Sequence, residues 1–237
     1  MGRPAHGRVL TRVARDAQQP AVPLAAAGLI VVDDDHRVLM AQRPTTARFA
    51  PGAWVFPGGL VETHDGLDNR EVTDESASQL ALDAYRVAAV RECLEETGVA
   101  CLEAAVEPAV MATVRQRLLA GGGLMETLAA EGVEPALPTL HYVGFWTTPP
   151  MSPLRYSTRF FMTAAPDHGL NPEVDGVEIV DACWITPADA LQRHRQGGFA
   201  LLPPQSAQLR HFAALAERQR LLDWAQAGPA VLQNRAG

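Results

Sequence analysis

The segment that most constrains this chain is Arg91-Glu92-Cys93-Leu94-Glu95-Glu96-Thr97-Gly98-Val99. Glu92, Glu95 and Glu96 stand at i, i+3 and i+4, offsets that bring side chains to one face of a helix. Like charges so placed repel, and the pattern asks for something that neutralises them. A hard divalent cation with oxygen ligands is the natural answer, Mg2+ first and Mn2+ as the alternative. Gly98 follows at once and suits the position just past a helix end. Val87, Val90 and Leu94, at i, i+3 and i+7, give the helix an apolar side opposite the acids. The competing reading is a solvated acidic face, the usual fate of such charges. What weighs against it lies upstream. Phe56-Pro57-Gly58-Gly59 takes the chain through a turn with few side chains, where backbone carbonyls and amides can come close to a metal or a phosphate. A glycine turn and an acidic helix together can hold a divalent cation against a diphosphate.

Composition narrows the setting. The chain has 237 residues, 47% hydrophobic and 20% charged, enough for one large domain with a sizeable core. Its net charge of −7 argues against nonspecific nucleic-acid binding but not against a nucleotide held through metal. Cys93, Cys101 and Cys183 have no metal-ligand or redox spacing. The longest apolar run, Ala21 to Val32, is short and contains Pro23, so no membrane span or signal peptide is expected. A cytoplasmic setting is the default expectation.

Residues 1–19 read as a flexible arm and 20–237 as the folded domain. Leu24 to Val32 and Val38 to Gln42 flank Asp33-Asp34-Asp35-His36 and predict a β-hairpin. The three aspartates read as a solvated turn rather than a metal site. Arg43 and Arg48 precede the glycine turn and suit phosphate clamping, with ordinary surface arginine as the alternative. Trp54-Val55-Phe56 predicts a short strand. Thr63 to Gln79 is polar and predicts an exposed loop, with Ser76 and Gln79 as a capping box for the helix that runs to Thr97. Cys101 to Val106 reads as strand-like. Met111 to Leu119 and Leu124 to Ala130 predict two helical pieces around Gly121-Gly122-Gly123, an addition at about 110–131 suited to a lid or a homodimer contact. Tyr142 to Thr147, Arg159 to Thr163 and Asp181 to Ile185 predict strands, the last of them the final one. Thr186 with Pro187 predicts a capped helix start. Ser206 to Ala225 predicts one terminal amphipathic helix. Strands interleaved with helices predict an α/β sandwich around a mixed sheet.

Gly59, then Asp65 after five residues, Arg91-Glu92, Glu95-Glu96, Gly98 and Val99 resemble the Nudix box. Two departures are visible. Asp65 stands where glutamate is usual, and the gap before Arg91 is lengthened by an insertion at about 66–83. The later stretches Trp146-Thr147-Thr148-Pro149, Arg155 to Phe161, Trp184-Ile185-Thr186-Pro187 and Leu202-Pro203-Pro204 resemble the nudix motif 19 subgroup, which also carries a long box insertion. The resemblance implies a Nudix-type α/β/α sandwich with added helices. It implies a metal-dependent diphosphatase acting on a nucleoside diphosphate linked to another group. It implies metal ligands at the Gly58 carbonyl, Glu92, Glu95 and Glu96. Arg91 would orient Glu95, and Gly59 would approach the substrate. The base is either a box glutamate, Glu92 or Glu95, or an acid of the late loop, where Asp167, Glu173, Asp175 and Glu178 are available and Glu178 is preferred.

The subgroup is associated with coenzyme A diphosphate hydrolysis. The better-known CoA signature, Leu-Arg-x-His before the glycine turn, is absent here, where Arg48-Phe49-Ala50-Pro51 precedes Gly52. Coenzyme A or acyl-CoA therefore stands beside ADP-ribose, NADH and nucleotide sugars. Two further functions on this fold compete: a non-catalytic binding module, and an isoprenoid diphosphate isomerase, which would need a cysteine facing the pocket.

Overall fold

A computed structural model of the chain describes residues 20–66, 79–103, 105–167, 171–216, 220–228 and 232–234. The centre is β1 (Leu24–Val32), buried at eight of its nine positions. A strand covered on both faces needs a near-continuous apolar run, which is what Leu-Ala-Ala-Ala-Gly-Leu-Ile-Val-Val provides. Its two faces alternate. Ala25, Ala27, Leu29 and Val31 pack into one hydrophobic cluster and Ile30 and Val32 into another, as a period of two requires.

Around β1 the described residues form an eight-stranded mixed sheet. β2 (Val38–Gln42) and β3 (Trp54–Val55) lie to one side, with β2 antiparallel to β1 through the Val32–Val38 register. β4 (Gly58–Leu60) also pairs antiparallel with β1, matching Ala26 with Leu60, Ala27 with Gly59 and Gly28 with Gly58. After β4 the chain passes through a short 3-10 turn (Thr63–Asp65). On the other side β6 (Tyr156–Ala164) runs parallel to β1 along its whole length, followed by β5 (His141–Thr147) and β8 (Leu232–Asn234). β7 (Asp181–Ile185) pairs with β2.

The long helix α1 (Gln79–Thr97), with α2 (Pro108–Leu119) and α3 (Leu124–Ala130), covers one face of the sheet. α4 (Pro187–Arg195), α5 (Pro203–Ala216) and α6 (Leu221–Gln226) cover the other. This is the α/β/α sandwich that the sequence implied. α1 is held by Val90, Cys93 and Leu94, each 1% exposed or less. Truncating one such leucine to alanine costs about 2–5 kcal/mol. Thr186 caps α4 as its sequence predicts, its hydroxyl accepting from the Asp189 amide at 3.1 Å.

Four local expectations give way to tertiary context. Gly58-Gly59 is strand, not an open turn, because β1 supplies the partner. Cys101 to Val106 forms no strand among its described residues, and Cys101 instead buries against the α1 side. The terminal helix is two helices, α5 and α6, with 217–219 between them outside the described residues. The final strand is β8, not Asp181 to Ile185; it adds to β5 in parallel over three residues, too few to show a period. The arm 1–19, the Ser76 cap and most of the box insertion lie outside the described residues.

Candidate active site

β4 and α1 build the site against each other. Gly59 lies so close to α1 that a Cβ there would sit 2.6 Å from the Glu92 carboxylate, and one on Gly58 would sit 2.2 Å from the Ala27 carbonyl oxygen. Only glycine permits the approach at Gly58, while a side chain at Gly59 would push the Glu92 carboxylate aside. The Gly58 amide donates to Glu96 Oε2 at 2.9 Å, which ties strand to helix at the acidic face.

That face is not solvated. Glu92 is 9% exposed and Glu96 3%, with Glu95 half-buried. α1 thus lacks a wet side here, for its acids point into the protein just as its apolar residues do. Arg91 is the cation of the cluster. Its Nε and Nη2 donate to the two oxygens of Asp65, each at 2.9 Å, a paired geometry that suits guanidinium and carboxylate. Nη2 also donates to the Leu60 carbonyl at 2.9 Å. Nη1 donates to Glu92 Oε1 at 3.0 Å and to Glu95 Oε2 at 3.2 Å. Burial works against its charge, but the Asp65 hydrogen bonds and the surrounding carboxylates hold its pKa above the ordinary value. Arg91 therefore contacts Glu95, Glu92 and Asp65 together. Asp65 further accepts from the Glu62 amide at 2.8 Å. The departure from glutamate at 65 thus still gives Arg91 a full carboxylate partner.

One guanidinium shared among three carboxylates leaves the site short of positive charge. Burial, against the pull of Arg91, raises the Glu92 carboxyl to about 7. Burial raises Glu95 too, with Arg91 again opposing. Glu96 is held well above the ordinary range, by burial first and by repulsion from Glu92 next, with the Gly58 amide opposing. Such buried, mutually repelling oxygen donors are what a hard cation relieves. Among the described residues no three acidic, histidine or cysteine side chains come together as a metal-holding group. Mg2+ does not ask for one, since it keeps several waters and takes one or two carboxylates together with substrate phosphate. Glu92 and Glu96 fit that role.

These residues open onto a cleft of about 930 Å³. Gly58, Gly59, Arg91 and the three glutamates line it, and so do Arg43, Asp175 and Glu178. Arg43 Nε is held by the Phe49 carbonyl at 3.1 Å, and its charge reaches Glu96. Arg48 is exposed and is not in the cleft lining, where its neighbour Phe49 stands edge-on to Tyr156 at 5.4 Å. The late-loop acids separate into pairs. Glu178 and Asp175 face the cleft, and the charge of Glu178 is felt at both Glu92 and Glu96. Asp167 and Glu173 line a different hollow, of about 630 Å³. Asp175 is committed to the backbone, accepting from the Glu178 and Ile179 amides at 2.9 and 2.8 Å. Cys93 is fully buried beside Thr97 and lines no part of the cleft, which removes the cysteine an isomerase would need.

The rest of the wall was not assigned to the site from the sequence, although its later stretches carried the subgroup resemblance. Trp146, Pro149, Tyr156, Pro203 and Pro204 make an apolar portion, and Leu118, Leu119 and Gly121 bring the added helices to the same cleft. These residues come from four separate stretches, and only the fold assembles them. Asp65 had its own signal in the sequence, its fixed distance from Gly59.

Residues 68–212 match the family described as the NUDT19 Nudix domain. The chain belongs to that family. Over 191 residues this Nudix domain is 30% identical to a putative nudix hydrolase 7 of Caenorhabditis elegans, covering 78% of this chain and 58% of that protein. It is 25% identical over 228 residues to the acyl-coenzyme A diphosphatase NUDT19 of Gallus gallus, covering 74% and 60%. The chain thus spans about three-fifths of the length of the curated relatives it matches. A crystallised Nudix hydrolase from Alicyclobacillus acidocaldarius superposes with a TM-score of 0.68 at 29% identity, covering 86% of this chain and 96% of the other.

Proposed function

We propose that this Nudix domain is a metal-dependent diphosphatase that cleaves coenzyme A or an acyl-CoA at its diphosphate, giving 3′,5′-ADP and a phosphopantetheine. The observation that carries the reaction class is the buried pair Glu92 and Glu96, pressed against glycine backbone with one guanidinium nearby. Glu92 and Glu96, with the Gly58 carbonyl and Glu95 beside them, would hold Mg2+ or Mn2+. A bound divalent cation supplies charge neutralisation on the diphosphate oxygens and a more acidic water. Arg91 keeps Glu92 and Glu95 fixed in orientation. Glu178, on the cleft and opposite the glutamates, receives the proton of the attacking water. Arg43 contacts a substrate phosphate, and Gly59 lets the diphosphate approach backbone.

The substrate rests on two supports. One is the name carried by the Gallus gallus and Homo sapiens relatives, acyl-coenzyme A diphosphatase. The other is the mixed wall of the cleft, with carboxylates and Arg43 for the polar centre and Phe49, Trp146, Tyr156 and prolines for a base or an apolar arm. A panel of CoA, acetyl-CoA, NADH, ADP-ribose, a nucleotide sugar and nucleoside triphosphates, compared by kcat/KM with Mg2+ and Mn2+, tests it. CoA or its ester is expected to rank first. If CoA compounds stay at background while ADP-ribose or NADH turns over, the substrate is wrong and the diphosphatase reading stands. Turnover of none of them with either metal would favour a binding module.

A further inference from the structure

The helical addition carries one residue that reaches the site from behind. An α-helix leaves its last four carbonyls without partners of its own. At the end of α1 all four are met in distinct ways. The Gly98 amide takes the Leu94 carbonyl at 3.0 Å. The Glu173 amide takes the Thr97 carbonyl at 2.8 Å, and the Asp175 amide takes that of Glu96 at 3.3 Å. The Glu95 carbonyl is taken by Arg115 of α2, through Nε at 3.2 Å and Nη2 at 3.0 Å. The same Nη2 also donates to the Glu173 carbonyl.

Arg115 thus joins three elements: its own helix, the end of the glutamate helix, and the loop that leads to Glu178. We infer that Arg115 is a positioning residue, which clips the late acidic loop to the end of α1 and so sets Glu178 across from Glu92 and Glu96. The linkage is continuous. Arg115 holds Glu173; Glu173 and Asp175 are bound to α1 through backbone; the Asp175 carboxylate then holds the Glu178 and Ile179 amides. A guanidinium suits this, because it presents several donors in one rigid plane to carbonyls of two elements. Its charge also suits a helix C-terminus. Gly98 is shaped by the same junction. Its φ is +70°, and a Cβ there would lie 3.2 Å from Arg115 Nη1 and 3.4 Å from the Glu173 carbonyl oxygen. Arg115 itself lines no part of the reaction cleft, only the neighbouring hollow.

The catalytic consequence rests on the proposed role of Glu178; the clip rests on geometry alone. Two measurements on Arg115→Met and Arg115→Lys separate them. The first is amide hydrogen exchange. In both variants Glu173, Asp175 and Glu178 are expected to exchange at least tenfold faster, with Tyr85 to Leu94 unchanged. The second is steady-state kinetics on the best substrate of the panel. kcat is expected to fall about tenfold or more, as for a misplaced group, with KM within about twofold. Combining Arg115→Met with Glu178→Gln should cost no more than about twofold beyond Glu178→Gln alone, since coupled residues are not additive. Parental exchange protection of the loop in both variants overturns the clip. A raised KM at unchanged kcat overturns the positioning role, and so does full additivity with Glu178→Gln. Should Glu178→Gln keep parental kcat, the base assignment fails, while the exchange result still decides the clip. If Arg115→Met does not fold, Arg115→Lys carries both readings.

Discussion

Two clusters of three acids lie in this chain, Asp33-Asp34-Asp35 and Glu92, Glu95 and Glu96, and the protein treats them in opposite ways. Asp33 is buried, 7% exposed, but each of its oxygens has a donor. Oδ1 accepts from the Asp35 and Arg37 amides at 3.1 and 2.8 Å, and Oδ2 from Arg37 Nε at 2.7 Å. Asp34 and Asp35 stay in solvent. The cluster closes the β1–β2 hairpin and nothing in it asks for a ligand. Glu92 and Glu96 are buried as deeply, yet Glu92 shares one guanidinium with Glu95 and Asp65, Glu96 accepts only the Gly58 amide, and the two repel each other. Acid count does not mark a site. Buried acid with too few donors does.

Arg91→Met should have the largest effect, because it leaves Asp65 and Glu92 buried without their guanidinium. Breaking such a pair from one side costs about 3–5 kcal/mol, read as a lower urea midpoint, and activity should go with it. Glu92→Gln and Glu96→Gln come next. Each should lower kcat roughly 100- to 1,000-fold, the range seen when one transition-state electrostatic contact is lost, while circular dichroism stays native. Asp34→Asn and Asp35→Asn, from the other cluster, should keep kcat within about twofold. Near-parental rates in both glutamate variants would put the two clusters on the same footing.

Stability should separate the clusters with opposite signs. A carboxyl whose pKa is raised on folding binds its proton more tightly in the native state. Its stabilising effect is full below the unfolded pKa and is lost as pH rises through the folded one. For Glu92, ordinarily near 4.5 and about 7 here, the window is pH 4.5 to 7, and the loss across it is on the order of 3 kcal/mol. Metal-free protein should therefore weaken between pH 5 and 8, and Glu92→Gln should flatten that fall and be the more stable at pH 8. Asp33→Ala should instead destabilise at pH 8 by about 1–3 kcal/mol, since it strips donors that were satisfied. Denaturant titration at both pH values checks this; a parental profile that rises with pH would contradict it.

What the sequence made legible was local or fixed in spacing. The β1–β2 hairpin, the Thr186 cap and α1 with its glutamates follow from short-range rules, and the Gly59–Asp65 gap with the Arg91-to-Val99 pattern marked the box. What it hid was set by partners far along the chain. Gly58-Gly59 reads as a turn until β1 supplies a strand. β8 is three residues beside β5. Phe49 and Tyr156, 107 positions apart, meet only in the fold, and nothing near Arg115 in sequence announces the carbonyls of Glu95 and Glu173.

The central claim is that the uncompensated charge of Glu92 and Glu96 is the seat of a divalent cation. The direct measurement is thermal unfolding at pH 8 with and without Mn2+, in parent, Glu92→Gln, Glu96→Gln and Asp35→Asn proteins. A ligand that binds only the native state raises the Tm. Mn2+ should raise the Tm of the parent and of Asp35→Asn alike, and should leave both glutamate variants nearly unmoved. Equal shifts in all four proteins, or none in the parent, would contradict the account.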